Sequence, residues 1–399
     1  MKLMMIAGEL SGDTHGGSIL SHLKKLVPGL EVFGVGGPRM FAQGLKSVIP
    51  LDNLQARGLV EVLRQLPSHY VYLRLMKKLL REERPDAVLL VDYPGFNLKI
   101  AKAAKQQGIP VFYYSGPQLW AWRGGRMREM TRWVDKIIVL FPFEVPLYHR
   151  AGVDAEFLGH PLVGVEATPK ELADFKTRIT LREGLPVVAI MPGSRPGELE
   201  RNLPTVLEGL RLVEKTGYRA NYILPVASTL NIERVRELVR AGGIPVQVLD
   251  NAFLPLLQVA ELAIVASGTA TLQVGMAGIP FLVVYRVTLL TYRIAKAFLY
   301  IKDASIVNIL AGRRIVPELV QRKFLPHRVC EEFLAIANDK ARQQQIRADL
   351  AKVKKILGKP GAYGRAAERF AIHLQTLGKT TQKLEPAPAR NAARSPSLH

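Results

Sequence analysis

Residues 185–198 read Leu-Pro-Val-Val-Ala-Ile-Met-Pro-Gly-Ser-Arg-Pro-Gly-Glu. An apolar run of strand length ends at Pro192, Gly193 and Ser194, and a helical pattern takes over near Glu198. Buried parallel strands read this way, and in α/β sheets ligands collect beyond the C-terminal ends of such strands. Glycine lets the backbone approach a phosphate, and the following helix offers unpaired N–H groups and a positive dipole end. Arg195 adds a planar fork suited to phosphate oxygens. No Walker-type lysine follows, so these residues alone fit an ordinary strand-to-helix turn with a surface arginine about as well.

A second stretch shifts the balance. Leu262–Val265 is another short apolar run, followed by Ala266-Ser267-Gly268-Thr269-Ala270-Thr271-Leu272-Gln273. Ser267 or Thr269 is expected to cap a helix, and the Ser-Gly-Thr turn presents hydroxyl and N–H groups to an anion. Gln273 lies one turn into that helix, at a depth suited to a sugar hydroxyl. Two such turns in one half suit a nucleoside diphosphate.

Strand and helix signals alternate on both sides of this region. Leu3–Ala7, Glu31–Val35, Ala87–Val91, Val111–Tyr114 and Lys136–Leu140 read as strands, and Glu156–Leu158 closes the first half at Gly159-His160-Pro161. Gly8–Asp13 reads as a tight turn before a helix at Thr14–Val27, and Asn97 as the cap of a helix over Leu98–Gln107. The alternation restarts at Pro186, runs to about Arg286, and gives way to helices up to about Leu377. This is the pattern of parallel sheets with helices on both faces, α/β and doubly wound. The expected organisation is a first domain over 1–165, a second over 166–345, C-terminal helices over 346–378 and a disordered basic tail over 379–399.

The formal charge of +21 over 399 residues implies anionic partners: nucleic acid, phosphorylated substrates or an anionic membrane surface. No RNP pattern, zinc finger or aromatic–basic interleaving favours nucleic acid. Cys330, the one cysteine, cannot form an internal disulfide and fits a reducing compartment. The Leu3–Ala7 run is too short for an export signal, and no run nears the roughly 18 apolar residues of a membrane span.

Asp92 ends a strand inside Asp92-Tyr93-Pro94-Gly95-Phe96-Asn97. A carboxylate there suits a general base for a hydroxyl nucleophile, although aspartate is also common as a turn cap. Glu9 and Asp13 occupy the corresponding loop of the first strand and carry the same two readings. The eight histidines lack metal-binding spacing, and no Asp-x-Asp pair is present to hold a divalent ion at a diphosphate. Neither a metal nor another cofactor is therefore expected, and cations and helix dipoles are left to carry the phosphate charge.

Taken in order, Gly8-Glu9-Leu10-Ser11-Gly12-Asp13, the Asp92–Asn97 stretch, Pro117-Gln118-Leu119-Trp120-Ala121-Trp122-Arg123, Phe141-Pro142-Phe143-Glu144, Pro192-Gly193-Ser194-Arg195, Ser267-Gly268-Thr269-Ala270 and Asn308-Ile309-Leu310-Ala311-Gly312-Arg313 resemble the lipid-A-disaccharide synthases, Gram-negative glycosyltransferases of the GT-B fold. The resemblance covers about residues 3–375. It implies two Rossmann-like domains facing across a cleft, and an inverting transfer from UDP-2,3-diacylglucosamine to the 6-hydroxyl of 2,3-diacylglucosamine 1-phosphate. On the family pattern Asp92 matches the base and Arg195 an essential residue near UDP. Glu9 falls in the interdomain cleft. Ser11, Asn97, Ser194, Ser267, Gly268, Thr269, Gln273 and Asn308 fall among the substrate and UDP contacts. Gln273 stands where many members have Glu, and Gly95 where some have a second Asp. The C-terminal segment of the family can exchange between the subunits of a homodimer. Another GT-B enzyme acting on a UDP-sugar, whether a lipid or peptidoglycan-precursor transferase or an epimerase, remains the alternative.

Such substrates carry acyl chains, so a chain without a membrane span must still reach a bilayer. Gly58–Leu80 is amphipathic on both sides of Pro67, with Val60, Tyr70, Val71 and Leu73 lying off the main apolar stripe. Arg64, Arg74, Lys77 and Lys78 are interspersed among them. The expectation is peripheral docking on the cytoplasmic face of the inner membrane, with those four apolar residues facing the anionic lipid. A helical hairpin packed wholly into the first domain is the competing reading.

Overall fold

The computed structural model describes residues 1–50, 59–117, 119, 125–288, 292–293 and 303–384, with main chain alone for 50, 59–67, 125 and 377–384. The first half comprises β1 (Lys2–Ala7), α1 (Leu10–Leu26), β2 (Glu31–Gly36), α2 (Pro38–Ala42), β3 (Lys46–Pro50), α3 (Leu59–Glu83), β4 (Ala87–Val91), α4 (Pro94–Lys105), β5 (Val111–Tyr114), α5 (Gly125–Trp133), β6 (Lys136–Val139), α6 (Val145–Arg150) and β7 (Asp154–Phe157). Its strands pair in parallel in the order β3-β2-β1-β4-β5-β6-β7.

The second half comprises α7 (Pro169–Arg178), β8 (Val187–Met191), α8 (Pro196–Lys215), β9 (Asn221–Val226), α9 (Ile232–Gly242), β10 (Val246–Asp250), α10 (Phe253–Val259), β11 (Leu262–Ala266), α11 (Thr269–Met276), β12 (Phe281–Tyr285), α12 (Ile306–Ala311) and β13 (Glu318–Val320). These strands also pair in parallel, in the order β10-β9-β8-β11-β12-β13. Three helices follow: α13 (Pro326–Ala337), α14 (Lys340–Ile356) and α15 (Ala362–Leu384).

The alternation of side chains along a strand explains why the apolar runs are continuous. Met4, Ile6, Val88, Leu90, Val111 and Tyr113 join one core with Leu73, Met76 and Leu80 of α3. Leu3, Met5, Ala7, Ala87, Leu89 and Phe112 point the other way, to Ile19, Leu20 and Leu23 of α1 and to Ala366, Ala367, Phe370 and Leu374 of α15. The C-terminal helix of the chain therefore covers the first sheet. Its start is tied down by Arg365, which donates to the carbonyls of Leu158, Lys359 and Pro360 at 2.8, 2.7 and 2.6 Å. Beside it the His160 amide donates to the Leu357 carbonyl at 2.9 Å. The His160 ring, buried against Phe141, is held neutral by burial, with its pKa pushed down to about 4.

Several boundaries differ from the sequence expectation. The helix α1 begins at Leu10 because Gly12, expected in a turn, lets the first helical turn press on Ala7 and the Val91 carbonyl. The helix α4 begins at Pro94, a residue suited to a first helical position, so Asn97 is inside the helix and does not cap it. The helix α3 continues through Pro67, which forgoes one main-chain bond without ending it, so the hairpin reading falls. Helix α14 starts at Lys340 and packs on α11 and α12 of the second half. Residues 379–384 continue α15, while 385–399 of the expected tail lie outside the described residues. Among the described residues no helix is long and apolar enough to cross a membrane.

Phe370 is 1% exposed and its ring lies 5.8 Å from that of Phe112. Phe370→Ala is expected to cost about 3–5 kcal/mol, read as a lower midpoint of urea unfolding. Ile372, 52% exposed on the same helix, is the control; Ile372→Ala should move stability by less than about 0.5 kcal/mol.

Candidate active site

In each sheet the strand order reverses direction between the first strand and the fourth, β1 beside β4 and β8 beside β11. Crevices open at such points beyond the C-terminal strand ends. The loops there carry Gly8-Glu9, Asp92-Tyr93, Gly193-Ser194-Arg195 and Ser267-Gly268-Thr269.

On the first sheet, Asp92 and Tyr93 are both left-handed, with φ of 51° and 49°. For residues with a side chain this costs about 1–2 kcal/mol apiece. The turn is held by its backbone. Asn97 Nδ2 and the Tyr113 hydroxyl donate to the Asp92 carbonyl at 2.7 and 2.6 Å. The Asp92 amide donates to the Tyr114 carbonyl at 3.1 Å. The Asp92 carboxylate then accepts from the Tyr93 amide at 2.9 Å and from Ser11 Oγ at 3.4 Å. Burial raises the Asp92 pKa, and these two donors oppose the rise.

Glu9 is the N-cap residue of α1. It is exposed by area, yet the enclosing walls strip water from its carboxyl. That loss of water, followed by the charge of Asp92, raises its pKa; Arg195, reaching from the second half, pulls the other way. Glu9 thus lies within electrostatic reach of both Asp92 and Arg195.

On the second sheet, Gly193 is left-handed, with φ of 135°, and a Cβ there would meet Glu198. Arg195 is the N-cap residue of α8, with its side chain 80% exposed and 3.6 Å from Glu198. Glu198 also accepts from the Ser194 amide at 3.2 Å, and the Tyr285 hydroxyl approaches it at 3.5 Å. The Thr229 hydroxyl donates to the Ser194 carbonyl. Fully buried Asn202 donates to the Pro192 carbonyl at 2.8 Å and accepts from the Arg286 amide at 3.0 Å, so the exits of β8 and β12 are locked together. At the end of β11, Gly268, with φ of 149°, is the N-cap residue of α11. Thr269 is exposed and Gln273 half-buried one turn on.

A family model described as lipid-A-disaccharide synthetase matches residues 3–368. The lipid-A-disaccharide synthase of Syntrophus aciditrophicus is 38% identical over 378 residues, covering 94% of this chain and 98% of that protein. The chain belongs to the lipid-A-disaccharide synthase family. It is a glycosyltransferase of lipid A disaccharide synthesis. The reaction of that name condenses UDP-2,3-diacylglucosamine with 2,3-diacylglucosamine 1-phosphate and releases UDP. An MnaA–UDP co-structure from S. aureus is similar in fold, with a TM-score of 0.60 at 12% identity over 97% of this chain and 98% of that one. MurG of Acinetobacter baumannii has a TM-score of 0.55 at 15% identity over 94% and 99%. The fold of this family member is GT-B.

The structure brings Glu9, Ser11 and Asp92 together on one wall, and Arg195 close enough to act on Glu9. Other expected site residues turn out to be structural. Asn97 is fully buried and donates to main-chain carbonyls, so it shapes the Asp92 turn and cannot reach a substrate. Asn308 is also fully buried. It accepts from the Ile315 and Val316 amides at 2.8 and 3.1 Å and donates to Val316 O and Glu318 Oε1 at 3.0 and 2.8 Å. Its hydrogen-bonding capacity is spent inside the second half. Ser267 does not cap α11, because its hydroxyl donates to the Ala304 carbonyl at 2.6 Å. Asp13 is buried and accepts from the Gly37, Arg39 and Met40 amides, serving as a distant cap of α2.

On α3, Tyr70 and Val71 are 56% and 58% exposed, but Leu73 is 9% exposed and belongs to the core, so it cannot face a membrane. Val60 lies outside the described side chains. Trp120 and Trp122 lie outside the described residues. Sequence reasoning missed Tyr93, Glu198, Asn202 and Tyr285. Only Glu198 carried a signal, four residues after Ser194 and able to reach back over one helical turn.

Asn202→Ala leaves a buried carbonyl and a buried amide unpaired. It should cost about 2 kcal/mol or more and accelerate hydrogen exchange at the Arg286 amide. Unchanged protection at Arg286 would show that Asn202 does not hold that exit.

Proposed function

We propose that Asp92 is the general base that deprotonates the acceptor's 6-hydroxyl, and that Arg195 with the N-termini of α8 and α11 receives the departing UDP. The observation that supports this reading is that Glu9, at one switch point, feels the charges of both Asp92 beside it and Arg195 at the other. Inversion needs one in-line displacement, so one base on the acceptor side and one stabilised leaving group on the donor side suffice. Burial raises the Asp92 pKa, which strengthens it as a base. The raised pKa also sets the sign of the pH dependence. The active form is deprotonated, so kcat/KM should fall as pH drops through an acidic limb lying above the usual aspartate value of about 4.

Asp92→Asn should lower kcat by about two to four orders of magnitude and abolish that limb, with UDP affinity little changed. Arg195→Ala should cost more than Arg195→Lys, and lysine should rescue only in part because it lacks the fork. Assays with UDP-2,3-diacylglucosamine and 2,3-diacylglucosamine 1-phosphate decide both. Near-parental turnover of Asp92→Asn sinks the base assignment.

The docking surface belongs to the same reading. Tyr70 and Val71 stand exposed on α3, and the Arg74 guanidinium lies 4.5 Å from the centre of the Tyr70 ring. An aromatic, an aliphatic and a cation side by side suit the edge of an anionic bilayer, where each basic residue contributes about 1 kcal/mol. In this reading α3 rests on the cytoplasmic face of the inner membrane and delivers acylated substrates to the cleft. A homodimer formed by exchange of α15 would reuse the surface that α15 covers within this chain. Tyr70→Ser with Val71→Ser should leave the fold intact and weaken sedimentation with phosphatidylglycerol vesicles severalfold. Sedimentation equal to the parent's would remove this surface from the reading.

A further inference from the structure

The Asp92-Tyr93 turn is held at its backbone by Asn97, Tyr113 and Tyr114, but the Tyr93 side chain takes a different route. Its ring packs against Gly8, where a Cβ would clash with the ring atoms Cγ, Cδ1 and Cε1. It packs beside Phe96 with ring centres 6.0 Å apart. Its hydroxyl is hydrogen-bonded to Nε2 of His69, on α3. One residue thus touches the glycine before Glu9, directly follows Asp92, and is fastened to the helix that exposes Tyr70 and Val71 on the two positions after His69.

We propose that Tyr93 is a positioning residue: pinned between Gly8 and His69, it sets the aim of Asp92 and couples the catalytic turn to α3. This rests on the reading of Asp92 as the base. Two consecutive left-handed residues are a costly conformation that persists only where surroundings over-determine it. The backbone bonds fix the Asp92 carbonyl and amide, yet the carboxylate still has χ1 and χ2 to settle. The carboxylate accepts from the Tyr93 amide, so any shift of the Tyr93 main chain moves its partner. A ring laid on Gly8 also shields the space between Glu9 and Asp92 from water. Burial and the Glu9 charge push the Tyr93 hydroxyl up to about 12, so it stays protonated and a donor across the working pH range.

The test uses the full-length chain in mixed micelles with both lipid substrates. Tyr93→Phe keeps the ring and removes only the hydroxyl that fastens it to His69. It should lower kcat about ten- to a hundredfold through misplacement of the base, with the donor KM unchanged. It should also move the acidic limb of kcat/KM to lower pH, because a ring no longer fastened to His69 leaves Gly8 and admits water to the turn, which relaxes the raised Asp92 pKa. The charged and titratable groups facing that turn are Glu9 on the α1 cap, Tyr113 on β5, Arg126 on α5, His69 on α3 and Arg195 across the cleft. Only His69 loses a partner in Tyr93→Phe, and His69→Leu removes that group, so a shift common to both variants reads hydration of Asp92.

His69→Leu should reproduce both effects, and His69→Gln, which keeps a hydrogen-bonding partner, should recover most of the loss. The double variant His69→Leu, Tyr93→Phe should be no slower than either single one. Parental kcat and limb in Tyr93→Phe, or losses that multiply in the double variant, overturn the link. Asp92→Asn separates the two readings. If it is active, the base assignment fails and this proposal falls with it. If it is inactive while the losses multiply, the link alone fails.

Discussion

A parallel sheet sends every strand out by the same edge, and right-handed crossovers decide where neighbouring connections part. That constraint governs this molecule twice. In the first sheet the connections separate between β1 and β4, and in the second between β8 and β11. Four loops distant in sequence are brought to two facing crevices by main-chain pairing alone. The register of Ala7 with Val91 sets Glu9 beside Asp92, and that of Val265 with Met191 sets the Ser267 turn beside Ser194. Side chains then refine what pairing has placed: Asn202 locks the exit of β8 to that of β12, and Asn97 locks the exit of β4.

The first-sheet loops hold two carboxyl groups whose pKa values are both raised, chiefly by burial. The Asp92 charge disfavours that of Glu9, and the guanidinium of Arg195 partly offsets this. The balance therefore depends on how the halves approach, since the offsetting cation is on the second sheet.

Much of this was legible in the sequence for a simple reason. Strands buried on both faces must be apolar throughout, so β1, β4, β8 and β11 stand out as runs, and the glycines beyond them mark the loops. What was not legible depends on partners far along the chain. Asp13 and Glu9 look alike in sequence. Only the folded position of the amides at residues 37, 39 and 40 turns Asp13 into a cap and leaves Glu9 facing the cleft. Asn97 and Asn308 look like surface polar residues, and their burial follows from backbone groups that no motif reveals. The left-handed turn at Asp92-Tyr93 was equally hidden, because neither residue type advertises it as glycine does.

The misreading of α3 had an avoidable cause, and it bears on what that helix can do. Residues two apart on a helix differ by about 200° in direction, so Val71 and Leu73 could not both face a bilayer. Leu73, Met76 and Leu80 follow a spacing of three and four and pack on the first sheet, while Tyr70, Val71 and Arg74 lie outward. Burial of the three inward side chains is worth on the order of 5–9 kcal/mol, at about 1.5–3 kcal/mol each. The two outward apolar residues together could gain only about 3–6 kcal/mol by the same measure if fully buried in lipid. Pulling the helix off the sheet to insert it would therefore lose more than it gained. In the proposed docking, α3 acts as a rigid surface that keeps its inward stripe on the sheet. That same rigidity lets His69 transmit the position of the helix to the turn beneath it.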